Sequence, residues 1–221
     1  MQSTSSSKGL MIGIIVVTVL IFAGLAFAII KAPAGPSNGG VEEQHSFHDA
    51  NNPFQGPADA KVVVRLFGDY QCPACRVAEG ATQYAINTYK DRVKFVWNDF
   101  PLTTIHPNAR PASNAARCAE EQGKFWEYHD MLYDKQTDWS HERSPQAKFN
   151  DYAASLGLNK DTFSSCLSSR THDGKIADDI SEGNRNRVDR TPTVFINNRR
   201  FFALTPAEWD KAIQEQLLTG N

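Results

Sequence analysis

Residues 67–76 read Phe-Gly-Asp-Tyr-Gln-Cys-Pro-Ala-Cys-Arg and place a Cys-x-x-Cys pair where a predicted strand meets a predicted helix. Residues 61–67 are short and rich in β-branched side chains, which predicts a buried strand. Residues 73–89 carry apolar side chains at helical spacing, and Pro73 suits a first helical turn. Cys72 is therefore expected at a helix N-terminus, where unpaired backbone N–H groups and the helix dipole favour a thiolate. The pattern predicts redox chemistry at Cys72 and Cys75.

The rest of the folded region continues an α/β pattern. Residues 93–100 predict a second strand, parallel to the first because a helix connects the two. Residues 111–187 predict a block of helices, one of them capped by Asn159. Residues 193–204 predict a hairpin that turns at residues 197–198, and residues 205–218 predict a last amphipathic helix. Helices packed on a small mixed sheet make this an α/β domain.

The N-terminal region predicts a membrane anchor. Residues 9–30 are 22 consecutive uncharged, mostly apolar residues between Lys8 and Lys31. At about 1.5 Å per residue, such a helix covers the roughly 30 Å hydrocarbon core of a bilayer. We therefore expect a short cytoplasmic tail at 1–8 and a transmembrane anchor at 9–30. The alternative is a cleaved secretory signal, whose apolar core usually runs only about 7–15 residues.

Whether the apolar run is retained as an anchor or cleaved as a signal, we expect the rest of the chain to lie outside the cytoplasm. Lys8 and the α-amino group give a weak positive-inside bias, so we expect a single-pass protein of the cell membrane with its catalytic domain on the extracytoplasmic side. Residues 31–52 are rich in Pro, Gly, Ser and Asn and predict a flexible linker, which leaves 53–221 as one domain. The formal net charge of −2 and the absence of a basic stripe argue against nucleic acid as a partner.

Several separated motifs, in this order, resemble one family. The Cys-Pro-Ala-Cys pair is followed by Asp-Phe-Pro-Leu at 99–102, Gly-Lys-Phe-Trp-Glu-Tyr-His-Asp at 123–130, and Val-Asp-Arg-Thr-Pro-Thr-Val-Phe-Ile at 188–196. Together they resemble the DsbA-like branch of the thioredoxin superfamily, over essentially residues 53–218. The resemblance implies a thioredoxin fold with an inserted helical domain at about 106–188, preceded here by one transmembrane helix.

The resemblance also implies roles for individual residues. Cys72 would be the exposed, attacking cysteine and Cys75 the buried, resolving one. Thr191 and Pro192 match the family's cis-proline loop, which faces the cysteine pair and binds substrate together with Pro73 and Ala74. The best-known DsbA proteins carry histidine where this chain has Ala74, so their redox potential does not transfer.

Two charged side chains flank the cysteine pair. Asp69 precedes Cys72 by three residues and Arg76 follows it by four. If both lie near the sulfur, they push its pKa in opposite directions.

Cys118 and Cys166 stand apart from the redox pair, 48 residues from each other, each on its own predicted helix. In an oxidising compartment a disulfide between them would close the helical block. The alternative is two free buried thiols. A zinc site built with Cys72 and Cys75 is disfavoured, because structural zinc sites normally take a second close pair or two histidines.

The expected function is thiol–disulfide exchange that introduces disulfide bonds into secreted or membrane proteins. No bound cofactor or metal is expected, because the cysteine pair itself carries both electrons. Expected partners are folding proteins with free thiols, the lipid bilayer through residues 9–30, and, by the resemblance, a quinone-linked membrane oxidase of the DsbB or VKOR type. Alternatives are a reductase or isomerase at the same site, a tethered non-catalytic peptide-binding module, and a zinc-stabilised structural domain.

Overall fold

The structure, a computed structural model, describes residues 41–42, 45–48 and 51–219. Within these residues six strands form one sheet, in the spatial order β1-β6-β5-β3-β4-β2. Their bounds are β1 (Val41–Glu42), β2 (Phe54–Gln55), β3 (Val62–Gly68), β4 (Val93–Asp99), β5 (Thr193–Ile196) and β6 (Arg199–Phe202). The predicted first strand, second strand and hairpin correspond to β3, β4 and the β5–β6 pair.

Strand β3 lies in the middle of the sheet and carries the redox motif at its carboxyl end. It pairs in parallel with β4, from Val62 opposite Val93 to Gly68 opposite Asp99, as the crossover helix predicts. On its other side it pairs antiparallel with β5, where Phe67 lies opposite Thr193. This register brings the chain just before β5 beside the chain just after β3.

Helices cover the sheet and form the inserted block. Their bounds are α1 (Pro73–Tyr89), α2 (Ala109–Glu120), α3 (Phe125–Asp134), α4 (Gln136–Trp139), α5 (Gln146–Ser155), α6 (Lys160–Ser169), α7 (Asp173–Arg185) and α8 (Pro206–Thr219). The side chain of Asn159 accepts a hydrogen bond from the N–H of Thr162 at 2.9 Å, which is the predicted cap of α6. The short helix α4 was not predicted.

The buried residues form two hydrophobic clusters. The larger one fills the space between the sheet, α1, α8 and the helical block, and includes Val64, Phe95, Trp139 and Trp209. The smaller one consists of Phe67, Phe100, Val188 and Phe195 on the sheet face near α7. Both clusters hold the end of β3 rigidly, because Leu66 belongs to the first and Phe67 to the second.

A buried ion cluster joins the helical block to the sheet. The Arg117 guanidinium, 1% exposed, donates from Nε to Asp99 at 2.8 Å and from Nη2 to Asp179 at 2.7 Å. Burial lowers the pKa of Arg117, but the carboxylates of Asp99 and Asp179 more than offset this and raise it. Since these residues belong to α2, β4 and α7, the cluster fixes three elements to one another.

Cys118 and Cys166 form a disulfide with a Cα–Cα distance of 5.8 Å. Of the two arrangements that the sequence allowed, the structure has the bonded one, which links α2 to α6. Both residues are buried inside the helical block.

The residues before β2 that the structure describes lie against the domain. Strand β1 pairs antiparallel with β6, the N–H of His48 donates to Glu182 of α7, and the N–H of Ser46 donates to Asn186, the residue that follows α7. The Phe47 ring packs edge-on against Phe195, with ring centroids 5.0 Å apart. The flexible linker at residues 31–52 stays a prediction; of that range the structure describes 41–42, 45–48 and 51–52, which make these contacts with the domain.

The predicted tail at 1–8 and anchor at 9–30 lie outside the described residues. Within the described part of the chain, the helices are too short or too polar to cross a bilayer.

Candidate active site

Cys72 and Cys75 lie at the start of α1, where the sequence placed them. Cys72 is the N-cap residue with extended backbone angles (φ −71°, ψ 121°), and Pro73 occupies the first turn. Both cysteines are free thiols in this structure. Cys72 is 7% exposed and Cys75 3%, whereas Pro73 and Ala74 are exposed. The expectation of an exposed Cys72 is therefore corrected: its side chain is largely covered, and the dipeptide between the cysteines is what reaches solvent.

The environment separates the pKa values of the two thiols. A hydrogen bond from the Cys75 thiol is the largest influence on the pKa of Cys72 and lowers it. Burial raises this pKa, whereas the Thr191 side chain and the N–H groups of Cys75 and Ala74 lower it further. Together these influences lower the pKa of Cys72 from 9.0 to about 5. Burial, followed by the interaction with Cys72, raises the pKa of Cys75 well above 9.0. At neutral pH the reduced pair therefore holds a thiolate on Cys72 and a proton on Cys75.

The Thr191–Pro192 loop faces this pair. The peptide bond between the two residues is cis, as the resemblance implied. The Cys72 Sγ atom lies 3.6 Å from the carbonyl oxygen of Thr191. The Thr191 hydroxyl is buried and makes no hydrogen bond within the part of the chain that the structure describes. The Thr191 side chain is nevertheless among the groups that lower the pKa of both Cys72 and Cys75.

The helical block holds the turn between β3 and α1. The Gln136 side chain donates to the carbonyl oxygens of Tyr70 at 2.7 Å and Cys72 at 3.0 Å. The Gln71 side chain donates to the carbonyl oxygen of Ser140 at 2.6 Å. Sequence reasoning missed Gln136 and Gln71, because a glutamine that bonds to a distant backbone leaves no local pattern.

A cavity of about 520 Å³ opens beside the cysteine pair. Pro73 and Arg76 of α1 line one wall, and Ile105 and His106 of the loop after β4 line another. Ile105 is 67% exposed, so an apolar side chain is presented to solvent close to the redox centre.

Among the described residues, two groups of potential ligands come close enough together to hold a metal ion. One consists of Cys118, Cys166 and His172, but its sulfurs are consumed by the disulfide. The other consists of Glu79, His129 and Asp130. In the second group the Gln83 side chain already donates to both carboxylates, at 2.8 and 3.0 Å. Neither group includes Cys72 or Cys75.

The arrangement of strands and helices is that of a DsbA-like thioredoxin fold. The thioredoxin family model matches residues 48–215, and the chain belongs to this family as a DsbA-like member. BdbD from Bacillus subtilis, in its oxidised form, is 26% identical with a TM-score of 0.69, over 81% of this chain and 98% of that structure. Chlamydia trachomatis DsbA is 16% identical with a TM-score of 0.66, over 80% of this chain and 99% of that structure, and supports the fold alone.

The similar curated proteins are longer than this chain. The Na(+)/H(+) antiporter NhaA 3 of Salinispora tropica is 37% identical over 170 residues, which are 77% of this chain and 25% of that protein. The Na(+)/H(+) antiporter NhaA 1 of Mycolicibacterium vanbaalenii is 30% identical over 91% of this chain and 32% of its own length. The chain thus spans about a quarter to a third of these relatives.

Proposed function

We propose that the protein is a disulfide oxidase that introduces disulfide bonds into proteins outside the cytoplasm through Cys72 and Cys75. The observation that carries the proposal is the pKa of Cys72, lowered to about 5 beside a Cys75 that keeps its proton. A dithiol whose reduced form is stabilised in this way accepts electrons readily and acts as an oxidant.

The reaction starts from the oxidised pair. A client thiolate attacks the Cys72 sulfur, the Cys72–Cys75 bond breaks, and its electron pair leaves with Cys75, which takes up a proton because its pKa is high. A second client thiol then loses its proton, and the resulting thiolate attacks the client sulfur of the mixed disulfide. Cys72 leaves as a thiolate. The client gains one disulfide, and the enzyme holds the two electrons as one thiolate and one thiol.

The same groups that lower the pKa of Cys72 assist its departure. A thiol of low pKa leaves faster in exchange. The Cys75 thiol, the Thr191 side chain and the N–H of Ala74 all lower the pKa of Cys72 and so stabilise the charge that appears on its sulfur. The groups around the Cys72 sulfur therefore favour both the direction of the thiol–disulfide exchange and its rate.

The client is expected to bind across the exposed Pro73–Ala74 dipeptide and the Thr191–Pro192 loop. These segments flank the sulfur on two sides, since β5 runs antiparallel to β3 and its preceding loop faces the start of α1. An extended peptide placed there would bring its cysteine to Cys72.

The location proposed is the cell membrane, with the domain on the extracytoplasmic side and residues 9–30 in the lipid bilayer. The long apolar run supports this, and so does a buried disulfide, which persists in oxidising compartments. Reoxidation is assigned to a quinone-linked oxidase of the DsbB or VKOR type, which the anchor would meet within the membrane.

Equilibration of the full-length protein in detergent with glutathione buffers tests the proposal. We expect a reduction potential well above thioredoxin's, closer to the roughly −120 mV of a strong oxidant such as DsbA. A value near −270 mV would instead favour the reductase alternative. Oxidation of a dithiol peptide provides the activity measurement, with Cys72→Ser as the inactive control. Full function of Cys72→Ser in cells would instead support the binding-module alternative.

A further inference from the structure

Asp69 carries a buried carboxylate directly behind the cysteine pair. It follows β3 by one residue and is 0% exposed. Its Oδ1 atom accepts hydrogen bonds from the backbone N–H groups of Gln71 at 2.7 Å and Cys72 at 3.2 Å. The backbone of Asp69 also lowers the pKa of the Cys75 thiol. Asp69 therefore affects both cysteines of the redox pair.

The other oxygen of this carboxylate faces the loop after β4. Its Oδ2 atom accepts from the N–H of Leu102 at 2.9 Å and lies 2.7 Å from Nδ1 of His106. A carboxylate only accepts hydrogen bonds, so Nδ1 is the donor in this contact. With four donors around it, the carboxylate ties the turn before α1 to the 102–106 loop.

His106 connects this buried group to solvent. Its side chain is 15% exposed and forms part of the wall of the 520 Å³ cavity beside Pro73. The other charged or titratable side chains along that cavity are Arg76, His141 and Glu142. Of these titratable side chains, His106 is the one that contacts the Asp69 carboxylate, through Nδ1 at 2.7 Å.

We propose that Asp69 is a positioning residue of the redox centre, and that His106 acts as its counter-charge. Because this carboxylate lies against the Cys72 backbone, its negative charge destabilises a thiolate on Cys72. A positive charge on His106 would offset part of this destabilisation. The pair thereby sets how oxidising the Cys72–Cys75 couple is. The inference rests on the proposed function in that it takes these cysteines as the reacting pair.

Two substitutions with opposite expected effects test the inference in the full-length protein. Asp69→Asn removes the negative charge but keeps the size of the side chain and an oxygen that accepts from Gln71 and Cys72. It should shift the glutathione equilibrium roughly tenfold toward reduced protein, or about +30 mV for a two-electron couple. His106→Gln keeps an N–H donor and removes the imidazole, and it should shift the same equilibrium the other way. Asp210→Asn is the matched control and should shift nothing, since Asp210 lies in α8 and accepts hydrogen bonds from Tyr84 and Tyr89 at the C-terminal end of α1, away from the cysteines.

The signs of these shifts decide the outcome. Opposite shifts support the inference, whereas unchanged potentials, or shifts of one sign with a common loss of stability, overturn it and leave Asp69 a structural residue. If Asp69→Asn does not fold, His106→Gln alone suffices, because a potential that is unchanged or raised contradicts the counter-charge role. Failure of the proposed function is distinguishable, because it appears as a low potential of the unsubstituted protein, whatever the variants do.

Discussion

The Thr191 hydroxyl offers a direct test of how the Cys72 thiolate is stabilised. The largest stabilising influence is the Cys75 thiol, and the Thr191 side chain is the next group that lowers the pKa of Cys72. Thr191→Val removes the hydroxyl and keeps the shape of the buried side chain. A hydrogen bond to a charged group contributes about 1.5–3 kcal/mol, and one pKa unit corresponds to about 1.36 kcal/mol. The substitution should therefore raise the pKa of Cys72 by about one to two units.

The thiolate has its own ultraviolet absorbance, so a pH titration of the reduced protein follows this change. Only Cys72 should contribute in the acidic range, because burial keeps the pKa of Cys75 high. The reduction potential should fall in parallel by about 30–60 mV, since each tenfold change corresponds to about 30 mV. Thr191→Ser retains the hydroxyl and is the matched control. If Thr191→Val titrates like the unsubstituted protein, the hydroxyl does not bond to the sulfur and the reasoning is refuted.

Three further outcomes are expected. Replacing Cys118 and Cys166 together by alanine should lower the free energy of unfolding by about 4 kcal/mol for a loop of this length, measured by urea denaturation; a loss under 1 kcal/mol would contradict the stabilising role. Arg117→Met should cost about 3–5 kcal/mol, because it leaves the buried Asp99 carboxylate without its cation and Asp179 with Lys175 alone, and an unchanged melting temperature would argue against the cluster. Because the folded pKa of Cys72 is depressed, its contribution to the stability of the reduced protein is complete above pH 9 and is lost as pH falls to about 5. The reduced form should therefore lose about 2 kcal/mol relative to the oxidised form between pH 7 and 5, whereas parallel curves would exclude this linkage.

Local sequence signals were sufficient to predict the elements that carry the cysteines. A short β-branched run, a proline at the first helical turn and a capping asparagine each act over a few residues, and β3, α1 and α6 begin where these signals indicate. The parallel pairing of β3 with β4 also followed, because a helical crossover allows no other arrangement.

The contacts that tune the site could not be predicted in this way. Gln136 reaches the Cys72 carbonyl from 64 residues away, and His106 reaches Asp69 from 37 residues away. Such buried polar contacts depend on how the helical block packs on the sheet, and neither residue belongs to a periodic pattern. The contacts of residues 45–48 were missed for a related reason, because their partners Glu182 and Asn186 lie more than 130 residues further along the chain.

The central claim is that Cys72 is ionised at neutral pH while Cys75 is protonated. The rate of alkylation of the reduced protein, measured across a pH series and mapped to each cysteine by mass spectrometry, tests it most directly. Modification of Cys72 should reach half of its maximal rate near pH 5, and Cys75 should remain unmodified throughout. A midpoint near 9 for Cys72, the value of an ordinary thiol, would contradict the account.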